Sequence, residues 1–157
     1  MSEPRWLDQR EARAWRGYRR MRRLLDLQLN RELLRESGLS EPDYDVLSDL
    51  SETPDQRLRL TELADRMLWS KSRLSHHLTR MQQRGLVTRE ECPGDARGSV
   101  IALTAAGRRA IEEAAPAHVE SVRRHLIDLL TPAEITALGD LAQRVVDHLT
   151  ERRSDRH

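Results

Sequence analysis

Phenylalanine is missing altogether, and three Trp and two Tyr bring the aromatics to only 3% of the 157 residues. A core must therefore be built from Leu, Val, Ile and Ala, and such a core favours helices. A single cysteine, Cys92, excludes an internal disulfide and fits a reducing compartment. No apolar run approaches the roughly 18 residues a spanning helix needs, and the charged N-terminus lacks the apolar stretch of a secretion signal. The expectation is a soluble, cytoplasmic protein with no membrane partner. A P-loop, a Gly-rich dinucleotide turn and a nucleophile–base motif are all lacking, which argues against an enzyme and against a bound cofactor. Net charge is only +1, so any affinity for nucleic acid has to come from local clustering. Lysine is almost absent too: Lys71 stands alone, and Arg supplies every other one of the 27 basic residues. Forked guanidinium donors suit phosphate.

What the chain does have is one strongly patterned stretch, residues 70–84. Leu74, Leu78 and Met81 fall at helical spacing on one stripe. Ser70 is placed to cap the start, and Gly85 sits where a helix turns into a left-handed residue. The opposite face carries Lys71, Arg73, Arg80 and Arg84, with Ser72, Ser75, His76 and His77 between them, and no Asp or Glu interrupts it. A helix with one apolar face and one basic, hydroxyl-rich face suits a phosphate-lined groove. Lys71, Arg73, Arg80 and Arg84 are expected to anchor phosphates chiefly, and Ser72, Ser75, His76 and His77 to approach base edges. Arg73 is also the candidate for guanine, because its fork can bridge O6 and N7. The bland alternative is a solvated surface helix.

Two short strands follow, residues 86–90 and 99–103, rich in branched side chains. Between them Cys92-Pro93-Gly94-Asp95-Ala96-Arg97-Gly98 reads as a hairpin tip. Helix then hairpin is the outline of a winged helix-turn-helix, with the helix in the major groove and Arg97 reaching the backbone or minor groove. Asp95 is near enough to brace the Arg97 guanidinium; an ion pair that only stiffens the hairpin is the alternative.

The run Gly85-Leu86-Val87, then Asp95-x-Arg97-Gly98, then Val100-x-x-Leu103-Thr104-x-x-Gly107 resembles the multiple-antibiotic-resistance-regulator (MarR) family. The likeness extends over roughly residues 10 to 150; one departure is His76, where many members carry a basic residue. The resemblance implies a mainly α protein with a small β-hairpin wing and N- and C-terminal dimerisation helices. It implies a sequence-specific regulator, a repressor in the first instance, that binds double-stranded DNA as a homodimer and is released by a small aromatic or phenolic effector. A bacterial, cytoplasmic protein, nucleoid-associated when DNA-bound, goes with it. Trp15, Tyr18, Tyr44 and Trp69 are candidates to line an effector pocket, with core packing as the alternative.

The rest of the chain divides accordingly. Residues 1–36 read as an arm and a long helix from about Gln9, whose apolar face (Trp15, Tyr18, Met21, Leu25, Leu29, Leu33, widened by Leu24, Leu27 and Leu34) invites a second chain. Arg13, Arg16, Arg19, Arg20, Arg22 and Arg23 load one end of it, as a solvated or paired face or as an auxiliary phosphate contact. Residues 37–104 form the DNA-binding lobe. There Ser40 starts a helix, residues 58–60 form a short strand against the wing, and Thr61 caps the first helix of the helix-turn-helix. Residues 105–157 form C-terminal dimerisation helices, with Thr104 as a cap, Pro116 kinking or dividing the first, and Thr131-Pro132-Ala133-Glu134 starting the last.

Two rival sensing roles are weaker. Family members that sense oxidants use a cysteine near the N-terminal helix, whereas Cys92 lies at the wing. His118 and His125 share a helical face and would need a carboxylate such as Glu120 or Asp128 to hold a metal; surface histidines are the simpler reading. A winged helix used for non-specific DNA or protein contacts remains a further alternative, distinguished by affinity for random DNA equal to that for a cognate site.

Arg97→Ala should weaken binding evenly across DNA sequences and lower its salt sensitivity; unchanged affinity and salt slope in an anisotropy titration would contradict it.

Overall fold

The computed structural model describes residues 1–91 and 98–155, in two compact units, 1–118 and Val119 onward. In chain order the elements are α1 (Gln9–Ser37), α2 (Glu41–Glu52), β1 (Arg57–Arg59), α3 (Leu60–Met67), α4 (Lys71–Gln83), β2 (Val87–Glu91), β3 (Ser99–Leu103), α5 (Ala105–His125), a 3-10 turn (Ile127–Leu129) and α6 (Pro132–Ser154). The protein is thus mainly α with a small antiparallel sheet, ordered β1-β3-β2. Among the described residues no helix is long and apolar enough to cross a membrane.

Helix starts are set by local chemistry. Asp8 and Glu11, Ser40 and Asp43, and Thr131 and Glu134 each form a reciprocal capping box at the start of α1, α2 and α6. α1 ends where Gly38 turns left-handed at φ 71°. Thr61, expected to cap α3, lies inside its first turn instead, because the helix begins at Leu60 with Arg59 in the capping position. The extended backbone of β1 already has the dihedrals a cap needs, so strand passes into helix with no loop. The strand is correspondingly shifted to residues 57–59, and Leu58 pairs with Ile101.

The core of the first unit gathers Val46, Leu47 and Leu50 of α2, Leu63 of α3, Leu74, Leu78 and Met81 of α4, and Ile101 of β3, all almost wholly buried. Apolar side chains from four elements, α4 among them, thereby fix that helix on its inner stripe. β2 and β3 pair in register from Val87 with Leu103 to Glu91 with Ser99, and this ladder forms the base of the wing.

α5 is pressed against the turn that ends α4. Gly85 is left-handed, at φ 75°. The Thr104 hydroxyl donates towards the Gly85 and Leu86 carbonyls at 2.7 and 2.9 Å and accepts from the Gly107 N–H at 2.9 Å. A Cβ on Gly107 would lie 2.1 Å from the Leu86 carbonyl oxygen. The Gly85-Leu86 and Leu103-Thr104-x-x-Gly107 runs are therefore two halves of one contact.

Pro116 does not divide α5, which is continuous through it. Proline removes one backbone donor, and the turns on either side hold the helix together. The helix stops at His125, and a 3-10 turn, Ile127–Leu129, follows it.

In the second unit α6 buries none of its residues, and Ile135, Leu141, Val145, Val146 and Leu149 are exposed. α1, in the first unit, likewise exposes Trp15, Tyr18, Met21, Leu24, Leu27 and Leu34, and buries only Leu29, Glu32 and Leu33 near its end.

Gly107→Ala should cost about 3 kcal/mol, the upper range for overpacking against rigid backbone. Urea unfolding would show a lower midpoint at unchanged slope.

Candidate nucleic-acid interface

α4 is capped by Ser70, whose hydroxyl accepts from the Arg73 N–H at 3.1 Å. Its outer face exposes Lys71, Ser72, Arg73, His76, Thr79 and Arg80, with Ser75 half-buried beside them. At 3.6 residues per turn, Ser72, His76 and Thr79 run down the middle of that face while Arg73 and Arg80 flank it. Thr79 was not singled out from the sequence, although it lies three residues after His76 and seven after Ser72. Arg89 of β2 donates to the Ser75 carbonyl at 3.1 Å and ties the wing strand to the helix.

Two residues expected on the DNA face are engaged elsewhere. His77 is buried, 8% exposed, and its Nε2 lies 2.9 Å from Asp43 Oδ1. On the other side of the ring Nδ1 faces Arg80 Nη2 at 3.4 Å. Arginine can only donate and a carboxylate can only accept, so the neutral ring suits both neighbours with its proton on Nε2. His77 is therefore no base reader; it adjoins the inner stripe at the spacing of Leu74 and Met81. Arg84 donates to Asp43 Oδ2 at 2.7 Å and to the Gly38 carbonyl at 3.0 Å, which commits its fork to the protein.

Asp43 is the hub of these contacts. Its carboxylate also accepts from the Ser40 N–H at 3.0 Å. Burial alone would raise its pKa, but the His77 ring, the Ser40 amide and the Arg84 guanidinium together outweigh burial and hold it well below the usual carboxylate range.

Trp69 precedes the helix. Leu68 adopts a left-handed conformation at φ 57°, and the Trp69 N–H bonds the Ala64 carbonyl at 3.1 Å. The indole packs against the core, meets His77 edge-on with centroids 5.6 Å apart, and carries the Arg73 guanidinium 3.6 Å above its ring. The four aromatics suggested as a pocket do not come together as one group. Trp15 stacks with Tyr18 at 6.0 Å on exposed α1, under Arg19 and Arg22, while Tyr44 packs on His118 at 4.4 Å. Asp95, Arg97 and Cys92 lie outside the described residues; Gly98 is buried just before β3.

A helix-turn-helix with a basic outer face, followed by a β-hairpin, defines a winged-helix DNA-binding protein. The MarR family model matches residues 37–98. The chain is 43% identical to AbsC of Streptomyces coelicolor, a MarR family transcriptional regulator, with TM-score 0.88 over 94% of this chain and 99% of that one. It is 40% identical to Sco3205 of the same organism, solved in complex with DNA, with TM-score 0.89 over 95% and 93% of the two chains. Against the transcriptional repressor YetL of Bacillus subtilis it is 32% identical over 111 residues, which span 69% of this chain and 66% of that relative. The chain belongs to the MarR family and is a DNA-binding transcriptional regulator; its relatives are regulators rather than enzymes.

Because Asp43 titrates below its ordinary value when folded, its contribution to stability is complete above about pH 4 and is lost as pH falls further. Asp43→Asn should therefore cost about 3 kcal/mol at pH 7, the loss expected when one partner of a buried ion pair is removed. The gap to the native chain should shrink in acid. Urea titrations from pH 7 to pH 2 would read it, and a pH-independent gap would contradict it.

Proposed function

We propose that the chain is a repressor that acts as a homodimer on a pseudo-palindromic operator. The observation that carries this reading is the outer face of α4, which is basic, hydroxyl-bearing, exposed and free of acids over its whole length. Residues 37–104 grip DNA, and residues 1–36 and 105–157 hold two chains together. The uncovered apolar faces of α1 and α6 support the second part, since exposed stripes of this size mark interaction surfaces. Two copies of α4 then enter successive major grooves about 34 Å apart.

Within each half-site Lys71 and Arg80 anchor phosphates and Arg73 reads guanine. Ser70, Ser72, Ser75, His76 and Thr79 supply shorter polar contacts, and Asp95, Arg97 and Gly98 form the wing contact. YetL is by name a repressor, and the same role here is occlusion of a promoter. A small aromatic or phenolic effector that alters the spacing of the two lobes releases the DNA, because both must fit their grooves at once.

Selection of bound fragments from random DNA should return an inverted repeat with half-sites one helical turn apart, at a large specificity ratio under physiological salt. Lys71→Ala should then weaken binding evenly across sequences and reduce the salt slope by about one. A lone half-site, or a specificity ratio near unity, would overturn the reading.

A further inference from the structure

Arg73 is held in an unusual way for a cation on a DNA-facing helix. Among the described residues no carboxylate pairs with it; its guanidinium carbon lies 3.6 Å from the centroid of the Trp69 ring, the separation of a stacked pair. The orientation has a chemical consequence. A guanidinium that stacks uses its π face, and its N–H donors radiate in the plane, free of the ring. An ion pair would have occupied those donors. The stack leaves all of them available to the adjacent O6 and N7 acceptors of a guanine.

The seat is itself fixed. The left-handed Leu68 and the Trp69 N–H bond to Ala64 set the backbone. The indole meets the His77 ring in a T-shaped contact, His77 lies 2.9 Å from Asp43, and Asp43 is tied to Ser40 and Arg84. A line of contacts therefore runs from a buried carboxylate on α2 to the exposed guanidinium on α4, through two rings that can hardly reorient. Arginine otherwise loses much side-chain entropy on binding, and a side chain already ordered loses less.

We propose that Trp69 is a positioning residue of the DNA site, seating the Arg73 guanidinium so that it discriminates one base in each half-site. The proposal rests on Arg73 as the guanine reader, and the experiment separates the two. Fragments bound by the native chain and by Arg73→Ala, Trp69→Leu, Trp69→Phe and the Trp69→Leu/Arg73→Ala double variant are selected and sequenced, with thermal unfolding of each.

Arg73→Ala should erase the preference at one position per half-site. Trp69→Leu should weaken the preference at that same position by roughly tenfold, with the other positions and the salt slope unchanged because no phosphate contact is lost. Trp69→Phe, which keeps a ring face, should restore most of it, and the double variant should be no worse than Arg73→Ala. In the native chain, NMR should place the Arg73 Cδ protons upfield under the indole ring current, a readout that does not depend on any variant folding.

Full preference in Trp69→Leu at the position Arg73→Ala erases, an even loss at all positions, or unshifted Arg73 protons would overturn the seat while leaving Arg73 as a reader. If Arg73→Ala erases no position, the reader role fails and the seat fails with it.

Discussion

Asp43 illustrates how one buried charge can organise a surface it does not reach. Its carboxylate closes the capping box of α2, accepts from Arg84 beyond the end of α4 and lies against His77 in the middle of α4. A carboxylate surrounded in this way cannot be uncovered cheaply, since any displacement of α4 against α2 leaves a charge in low dielectric without its partners. Hydrophobic packing of Leu74, Leu78 and Met81 holds the helix down, but packing alone is tolerant of small rotations. The polar hub is directional. It specifies which residues of α4 face outward, and Arg84 extends it to the end of α1 through the Gly38 carbonyl.

The wing side has its own constraint, and this one is steric. Thr104 and Gly107 at the start of α5 close on the Gly85–Leu86 turn with no room for a β-carbon. Recognition helix, turn, sheet and the first turn of α5 are thus built on shared backbone contacts, with Arg89 adding a side-chain tie to Ser75. The hub, which reaches the middle and the C-terminal end of α4, and the close approach at the turn just beyond give a stiff platform for a basic face. Stiffness of that kind suits recognition by geometry, and in the dimer proposed above it would let two copies meet two grooves at a set separation.

Much of this was legible in the residue order, and what was legible was local. Ser40 with Asp43 and Thr131 with Glu134 announced helix starts, Ser70 and Gly85 bracketed α4, and the three-and-four spacing of Leu74, Leu78 and Met81 showed its inner stripe. The unpartnered stripe of α1 was visible as excess apolar width. Other features escaped. A left-handed Leu68 has no local signal, because a leucine at positive φ is uncommon and its neighbours favour continuing the helix. The start of α3 falls at Leu60 rather than Thr61 because β1 runs straight into it, and of the kink or division that Pro116 suggests, division does not occur.

The chain order by itself determined that α4 exists, where it begins and ends, and that its polar face is basic and free of acids, since caps and periodicity act within a turn or two of backbone. Only the tertiary structure decided which of those polar residues remain outside. His77 and Arg84 look like groove residues until a carboxylate 41 positions before Arg84 is folded against them, and Trp69 looks like generic core until the Arg73 guanidinium is found over its ring. Partners so distant along the chain leave no periodic trace in it, because their meeting depends on how whole elements pack.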